Sequence, residues 1–258
     1  MTGILEQPIS LDGGSYEGAP FVESGASRPA VQLWSDLIAF GDLDTVPGDE
    51  AAALLSATSG GSGDRVHLVA VGTRDGQATE LGSVLVGDRI KVRNLGVDSG
   101  KVAIDVVEAG PSDAACCPTQ LARKIYGLAD DGLRLESSIT AGTLSVEALR
   151  GNWHLIWIDQ EAPPEGVKRP TLEVTGVRIA GDSACNRYSG SFEELGPGKV
   201  KVAPLMGTRM ACAPPSMNLE QEFLRRLERV DRYTFLAGRL ALTGPRGDSE
   251  FLLLFEKQ

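Results

Sequence analysis

The stretch RVHLVAVGTRDGQ places Val66, Leu68, Ala70 and Gly72 on one side of an extended chain and ends in Asp75-Gly76. Apolar alternation at period two marks a half-buried strand. An Asp-Gly pair between such runs marks a hairpin, because the tight turn that matches strand twist needs positive φ at both central residues. The pattern recurs. LGSVLVGDRIKVRNLGV sets Ile90, Val92 and Leu95 near period two, GKVAIDVVEAG adds a further strand, and RKIYGLADDGLRLES reads as a hairpin turning at Asp131-Gly132. Upstream, AVQLWSDLIAFGDLD reads as a strand or a short helix, and GDEAAALLSATSGGSGD joins an apolar run to a Gly/Ser loop. The 31 glycines and 14 prolines fit a chain dense in turns rather than a helical bundle.

After GTLSVEALRG a second set of strand-like runs begins: GNWHLIWIDQ, TLEVTGVRIAG, GSFEEL, KVKVAPL, RYTFLAGRLALTG and EFLLLFEK. One helix interrupts them, NLEQEFLRRLERV, whose Leu219, Phe223, Leu227 and Val230 form a single apolar stripe. Asn218 suits the N-cap, Gln221 the reciprocal position of a capping box, and Glu220 and Glu222 the positive first turn; RRLER is a solvated face. The expected fold is therefore mainly β, α+β in its second part. It consists of two antiparallel β-rich domains, 1–145 with an extended lead-in over 1–30, and 146–258 with the single amphipathic helix. Charge divides at the same place. Residues 1–145 hold 20 acidic and 10 basic side chains, which is the whole net charge of -10, and the remainder balances at 15 and 15. An acidic domain beside a neutral one argues against nucleic acid and anionic membrane surfaces as partners.

No apolar run has the length of a membrane span, and MTGILEQPIS has neither a basic start nor an apolar core of a signal peptide. The four cysteines, Cys116, Cys117, Cys185 and Cys212, show no CxxC spacing and have only two histidines to assist them. Three full pairings are open. A structural disulfide is the leading reading, and it places the chain outside the cytoplasm, with any targeting segment missing from this sequence.

The segments ACNRYSGSF, APLMGTRMACAPP, LEQEFLRRL, YTFLAGRLALTG and FLLLFE resemble the META domain family, the HslJ-like heat-inducible bacterial proteins. The resemblance rests on Trp153 in an opening strand, on Cys-Asn-Arg-Tyr-x-Gly at Cys185 to Gly190, and on Thr-Arg-Met-x-Cys at Thr208 to Cys212. It implies a compact antiparallel β domain with one helix, in an envelope-associated family linked to heat and antibiotic tolerance without a defined reaction. In the first part, YEGAPFVESGASRP, GDLDTVPGDEAA, GDRIKVRNLGV and GPSDAACCPTQ resemble secreted proteins and lipoproteins of the LppP/LprE type.

Because Cys185 and Cys212 fall one in each META-like motif, the resemblance leads to a disulfide between them. Cys116 and Cys117 are then left to each other, as a vicinal pair or as free thiols. Asn186, Arg187, Tyr188, Thr208 and Arg209 form a candidate binding patch, the alternative being turn-building by Asn186 and Gly190 and surface cover by the arginines. Asp42, Asp44, Asp49 and Glu50 crowd one loop and offer oxygens for Ca²⁺, against the plainer reading of an acidic turn; Val46 and Pro47 stand where a full Asp-x-Asp-x-Asp-Gly loop needs Asp and Gly. No other cofactor is indicated.

Enzyme signatures are missing. Ser189 sits in YSGSF rather than a GxSxG elbow, SGGSGD lacks the Lys-Ser/Thr of a phosphate loop, and His67 and His154 fall within strand-like runs. The expectation is a non-catalytic, monomeric envelope protein, periplasmic or extracellular, acting in stress or antibiotic tolerance through an unidentified envelope component. The alternatives are an inhibitor or carrier of a protein or small apolar molecule, and a hydrolase working with carboxylates such as Asp42 or Asp88.

Overall fold

The computed structural model describes every residue except Met1, Thr2, Gly3, Glu6, Thr45, Pro47, Gly61 and Ser62. The opening MTG, the Pro47 position of the acidic loop and the centre of the Gly/Ser loop therefore lie outside the described residues. The chain divides into two compact units, Met1–Gly142 and Thr143–Gln258.

The first unit has two antiparallel sheets. β1 (Ser15–Glu17), β2 (Ala30–Gly41), β3 (Glu50–Thr58), β4 (Arg65–Arg74) and β5 (Gln77–Asp88) pair in sequence order. So do β6 (Lys91–Asp98), β7 (Lys101–Glu108), β8 (Gln120–Ala129) and β9 (Gly132–Thr143). The stretch left open between strand and helix is β2, with a register shift between Leu33 and Ile38. Asp75-Gly76 makes the two-residue turn between β4 and β5, with φ of 52° and 75°. The β8–β9 turn lies one residue earlier than expected, on Asp130-Asp131, and Gly132 opens β9 at φ 110°.

One face of β3 and β4 sends Leu54, Val66 and Leu68 into a core shared with Val92, Ile104, Val106 and Tyr126 of the second sheet. A fully buried Leu or Ile side chain contributes roughly 2–3 kcal/mol of transfer free energy. The opposite face, Leu55, Ala57 and Val69, is covered by Ile4 and Ile9. The segment expected as an extended lead-in thus supplies core residues as well as the edge strand β1. His67 is buried in β4, and desolvation followed by the nearby Arg65 charge pushes its pKa down, so it is a neutral packed residue.

The second unit opens with a 3-10 turn, Val146–Leu149, whose last carbonyl accepts the Trp153 indole N–H at 2.8 Å. Its strands are β10 (Gly151–Ile158), β11 (Thr171–Thr175), β12 (Arg178–Asp182), β13 (Arg187–Gly196), β14 (Lys199–Val202), β15 (Met206–Gly207), β16 (Arg232–Leu236), β17 (Arg239–Arg246) and β18 (Ser249–Lys257). Their order, β12-β11-β10-β18-β17-β16-β14-β13, closes on itself through β12–β13 pairing, giving an eight-stranded antiparallel barrel with β15 as an extra pairing on β13. Closure removes the exposed sheet edges that would otherwise invite association. The thinnest seam is β14–β16, paired only at Lys199 and Arg232 and reinforced by Val200 N–H to Asp231 O (3.0 Å) and Tyr233 N–H to Gly198 O (2.9 Å).

The helix, α1, spans Pro214–Leu227 and starts four residues before the expected Asn218. Pro214 and Pro215 occupy its first turn, where a missing N–H costs nothing and a fixed φ is already helical. Ala213 is the N-cap and makes no side-chain cap. The capping box expected from Asn218 and Gln221 is not formed, and no acidic residue lies in the first turn. Glu220 instead falls in the helix interior, beside Leu219 and Phe223 on the buried side. Phe223 meets Tyr188 of β13 and Phe255 of β18 edge-on, with centroids 5.7 and 6.3 Å apart.

Candidate functional site

The turn between β12 and β13, Ser183 to Asn186, is the centre of the second unit's polar chemistry. Its left-handed residue is Ala184, at φ 90°, not Asn186 as its residue type predicts. An alanine there is strained and has to be held by its surroundings. Ser183 N–H donates to Asn186 O at 2.7 Å, and Ser183 Oγ lies 2.8 Å from the same oxygen.

Asn186 works through its side chain. Its Oδ1 accepts from Thr208 Oγ (2.8 Å) and Met210 N–H (2.7 Å), and its Nδ2 donates to Met210 O (3.1 Å) and Glu220 Oε1 (3.0 Å). Glu220 Oε2 accepts the Asn186 N–H at 2.7 Å and the Ser183 hydroxyl. Ser183, Asn186 and Glu220 are all buried. Desolvation raises the Glu220 pKa, but the bonds from Ser183, Asn186 and the Cys185 backbone outweigh it and hold the carboxyl below the ordinary value. This is a buried anion neutralised by hydrogen-bond donors, with every carboxylate oxygen in use.

The Cys185–Cys212 disulfide spans the same gap, with Cα atoms 6.0 Å apart. Covalent and hydrogen-bonded links together tie the β12–β13 turn, the stretch Ala203 to Ala213 and the helix.

Among the patch residues, Asn186 and Tyr188 face inward, 4% and 3% exposed. Tyr188 donates its hydroxyl to Thr171 O at 2.8 Å, and desolvation raises its pKa far above the usual tyrosine range. Gly190 lies within β13 rather than at a turn, and the Leu205 side chain packs where its Cβ would be, 2.6 Å from Leu205 Cδ2. Arg187, Thr208 and Arg209 are exposed. With Met206 (71% exposed) and Met210 (59%) they form the outer surface over the clamp.

Residues 146–258 match the family model described as META domain. The second unit matches the META domain family. A solved structure described as "NMR structure of the protein from Burkholderia xenovorans" is similar to this chain at 27% identity, covering 44% of this chain and 86% of that one, with a TM-score of 0.35. No curated protein matches the chain. In the META unit, Cys185 and Asn186 of the first motif meet Thr208, Met210 and Cys212 of the second in the clamp. Glu220 lies outside both; its sequence context points to an exposed place in the first helical turn, whereas it is buried in the helix interior. Its signal was a carboxylate at i+1 from Leu219 and i-3 from Phe223, on the inward side of an amphipathic helix.

In the first unit, Asp42, Asp44 and Glu50 bring carboxylate oxygens within 4.8 Å of one another; exposed Asp49 is not in the group. A cleft lined by Asp42, Asp44, Arg74, Asp98 and Asp130 adjoins them. Asp44 accepts the Val46 N–H at 2.6 Å and pairs with Arg74, which together hold its carboxyl below the ordinary value. Glu50, buried, accepts the Leu43 N–H at 2.8 Å. Asp88 accepts the Asp64 N–H at 3.0 Å. Two of the three clustered carboxylates therefore already serve the protein. Millimolar Ca²⁺ is expected to move the melting temperature by less than about 1 °C. A rise of several degrees that Asp42→Asn abolishes would make the cluster a cation site.

Proposed function

We propose that this chain is a non-catalytic binding protein of the bacterial cell envelope, acting in stress tolerance through its META unit. The carrying observation is the division of labour in that unit. Asn186 and Thr208 of the two motifs spend their side-chain polar groups on each other, on Met210 and on Glu220, while the side chains of Arg187, Met206, Arg209 and Met210 are exposed on the disulfide-braced outer surface. A surface held in place before binding loses little conformational entropy on association, and methionines adapt to an apolar partner. The pairing of all four cysteines supports an oxidising compartment. The stress role rests on the family resemblance. The same braced surface serves equally for an inhibitor, with an envelope enzyme as its partner.

The test is affinity capture from a bacterial envelope fraction with the intact chain and with an Arg209→Glu/Met210→Asp variant. The native chain is expected to retain a partner that the variant loses, at unchanged melting temperature. Equal capture by both proteins, or turnover in a hydrolase screen, would refute the reading. A second reading, a hydrolase, is favoured by the convergence of Asp42 and Asp44 on the cleft of the first unit. Against it, Asp44 is already engaged by the Val46 N–H and by Arg74.

A further inference from the structure

The two disulfides differ in what they hold. Cys185–Cys212 closes a separation of 27 residues, and Cys116–Cys117 a separation of 1. A cross-link between sequence neighbours closes a loop that the peptide bond has all but closed. It removes almost no freedom from the unfolded chain and is no staple.

Nor does the loop around it need that bond. The segment between β7 and β8 is pinned by Asp113, whose carboxylate accepts the Gly110 N–H (2.8 Å), the Thr119 N–H (2.7 Å) and the Thr119 hydroxyl (2.9 Å). Those bonds hold the Asp113 carboxyl below its ordinary pKa. Asp113 N–H to Gly110 O and Cys117 N–H to Ala114 O complete the turns. None of these bonds involves a sulfur. Cys116 and Cys117 are both exposed, so a thiol from solution can reach them. The structure thus contains an accessible disulfide on an independently braced loop, with no stabilising work to do.

We propose that Cys116–Cys117 is a thiol–disulfide exchange site whose reaction partner is a dithiol. One thiolate of the dithiol attacks a sulfur of the pair, forming a mixed disulfide and expelling the neighbouring cysteine as thiolate. The second thiol of the partner then attacks the mixed disulfide. The products are Cys116 and Cys117 as two thiols, with the partner oxidised to its disulfide; two electrons and two protons have moved to this chain. Because the expelled thiolate stays beside the mixed disulfide, the reverse reaction is equally direct, and the pair cycles without unfolding the loop. Attack by thiolate on an accessible sulfur is the general route of such exchange.

The experiment uses the intact oxidised chain and dithiothreitol as the probe dithiol, with alkylation and peptide mapping at each concentration. Cys116 and Cys117 are expected to stay unlabelled without reductant. They should then become labelled together at a dithiothreitol concentration at least roughly tenfold below that labelling Cys185 and Cys212. A Cys116→Ser/Cys117→Ser variant is expected to keep the native melting temperature. Labelling without reductant, labelling only alongside Cys185 and Cys212, or a drop of several degrees in the double variant would each overturn the proposal. The peptide map of the unsubstituted chain is read independently of the variant, and labelling of Cys116 and Cys117 only alongside Cys185 and Cys212 overturns the proposal however the variant behaves.

Discussion

Replacing Glu220 by alanine is expected to destabilise the META unit by about 3–5 kcal/mol, the cost of leaving two buried N–H groups without an acceptor. The Asn186 N–H and one of its two Nδ2 hydrogens lose their acceptor, and the Ser183 hydroxyl is left with Asn186 O alone, within a turn that already holds Ala184 at positive φ. Glutamine is no rescue. Both oxygens of Glu220 face donors, so either orientation of an amide turns an NH₂ toward one of them. Calorimetry on the intact chain should show the META unit's melting temperature falling by more than about 10 °C for Glu220→Ala, and by a smaller amount for Glu220→Gln. A loss below about 1 kcal/mol would mean that water replaces the carboxylate and that the clamp is not a stabilising centre.

The same residue sets a pH dependence. The folded-state pKa of Glu220 is depressed below its ordinary value of 4.5. Its contribution is therefore fully present above that value and is lost as pH falls through the folded pKa, when the carboxyl protonates and its donors lose an acceptor. Acid unfolding of the META unit should thus weaken in its pH sensitivity in the Glu220→Gln variant.

The second large effect is removal of the Cys185–Cys212 bond. A closed loop of this length contributes about 3–4 kcal/mol in the chain-entropy picture, so Cys185→Ser/Cys212→Ser should lower urea stability by that amount. The bond and the Asn186 contacts restrain the same stretch before the helix. The combined Glu220→Ala and double-serine variant is therefore expected to lose less than the sum of its parts. Strict additivity would show that the two links act on separate pieces of structure.

Period-two runs and hairpin turns were readable because strand faces and positive-φ turns are local properties, encoded within a few residues, as at Val66–Gly72 and Asp75-Gly76. The apolar stripe of α1 was readable for the same reason. Its start was misplaced because the Asn218 capping signature and the Pro214-Pro215 start compete, and a proline pair in the first turn costs nothing there. Asn186 was legible as a special residue but not in its role. Local propensity points to a backbone turn-maker, whereas the structure puts the positive φ on Ala184 and spends the asparagine side chain on Thr208, Met210 and Glu220.

By itself the sequence determined a mainly β chain of many hairpins with one amphipathic helix, and a second half resembling the META domain. Only the tertiary structure decided that β10, the first strand of the META unit, pairs with β18, its last, so that the sheet closes into a barrel, and that DSACNRYSGSF turns polar groups toward a helix carboxylate 34 positions beyond Asn186. The physical reason is range. Alternation and turn chemistry act between neighbours, whereas the value of a buried carboxylate depends on donors that reach it only once the chain has folded.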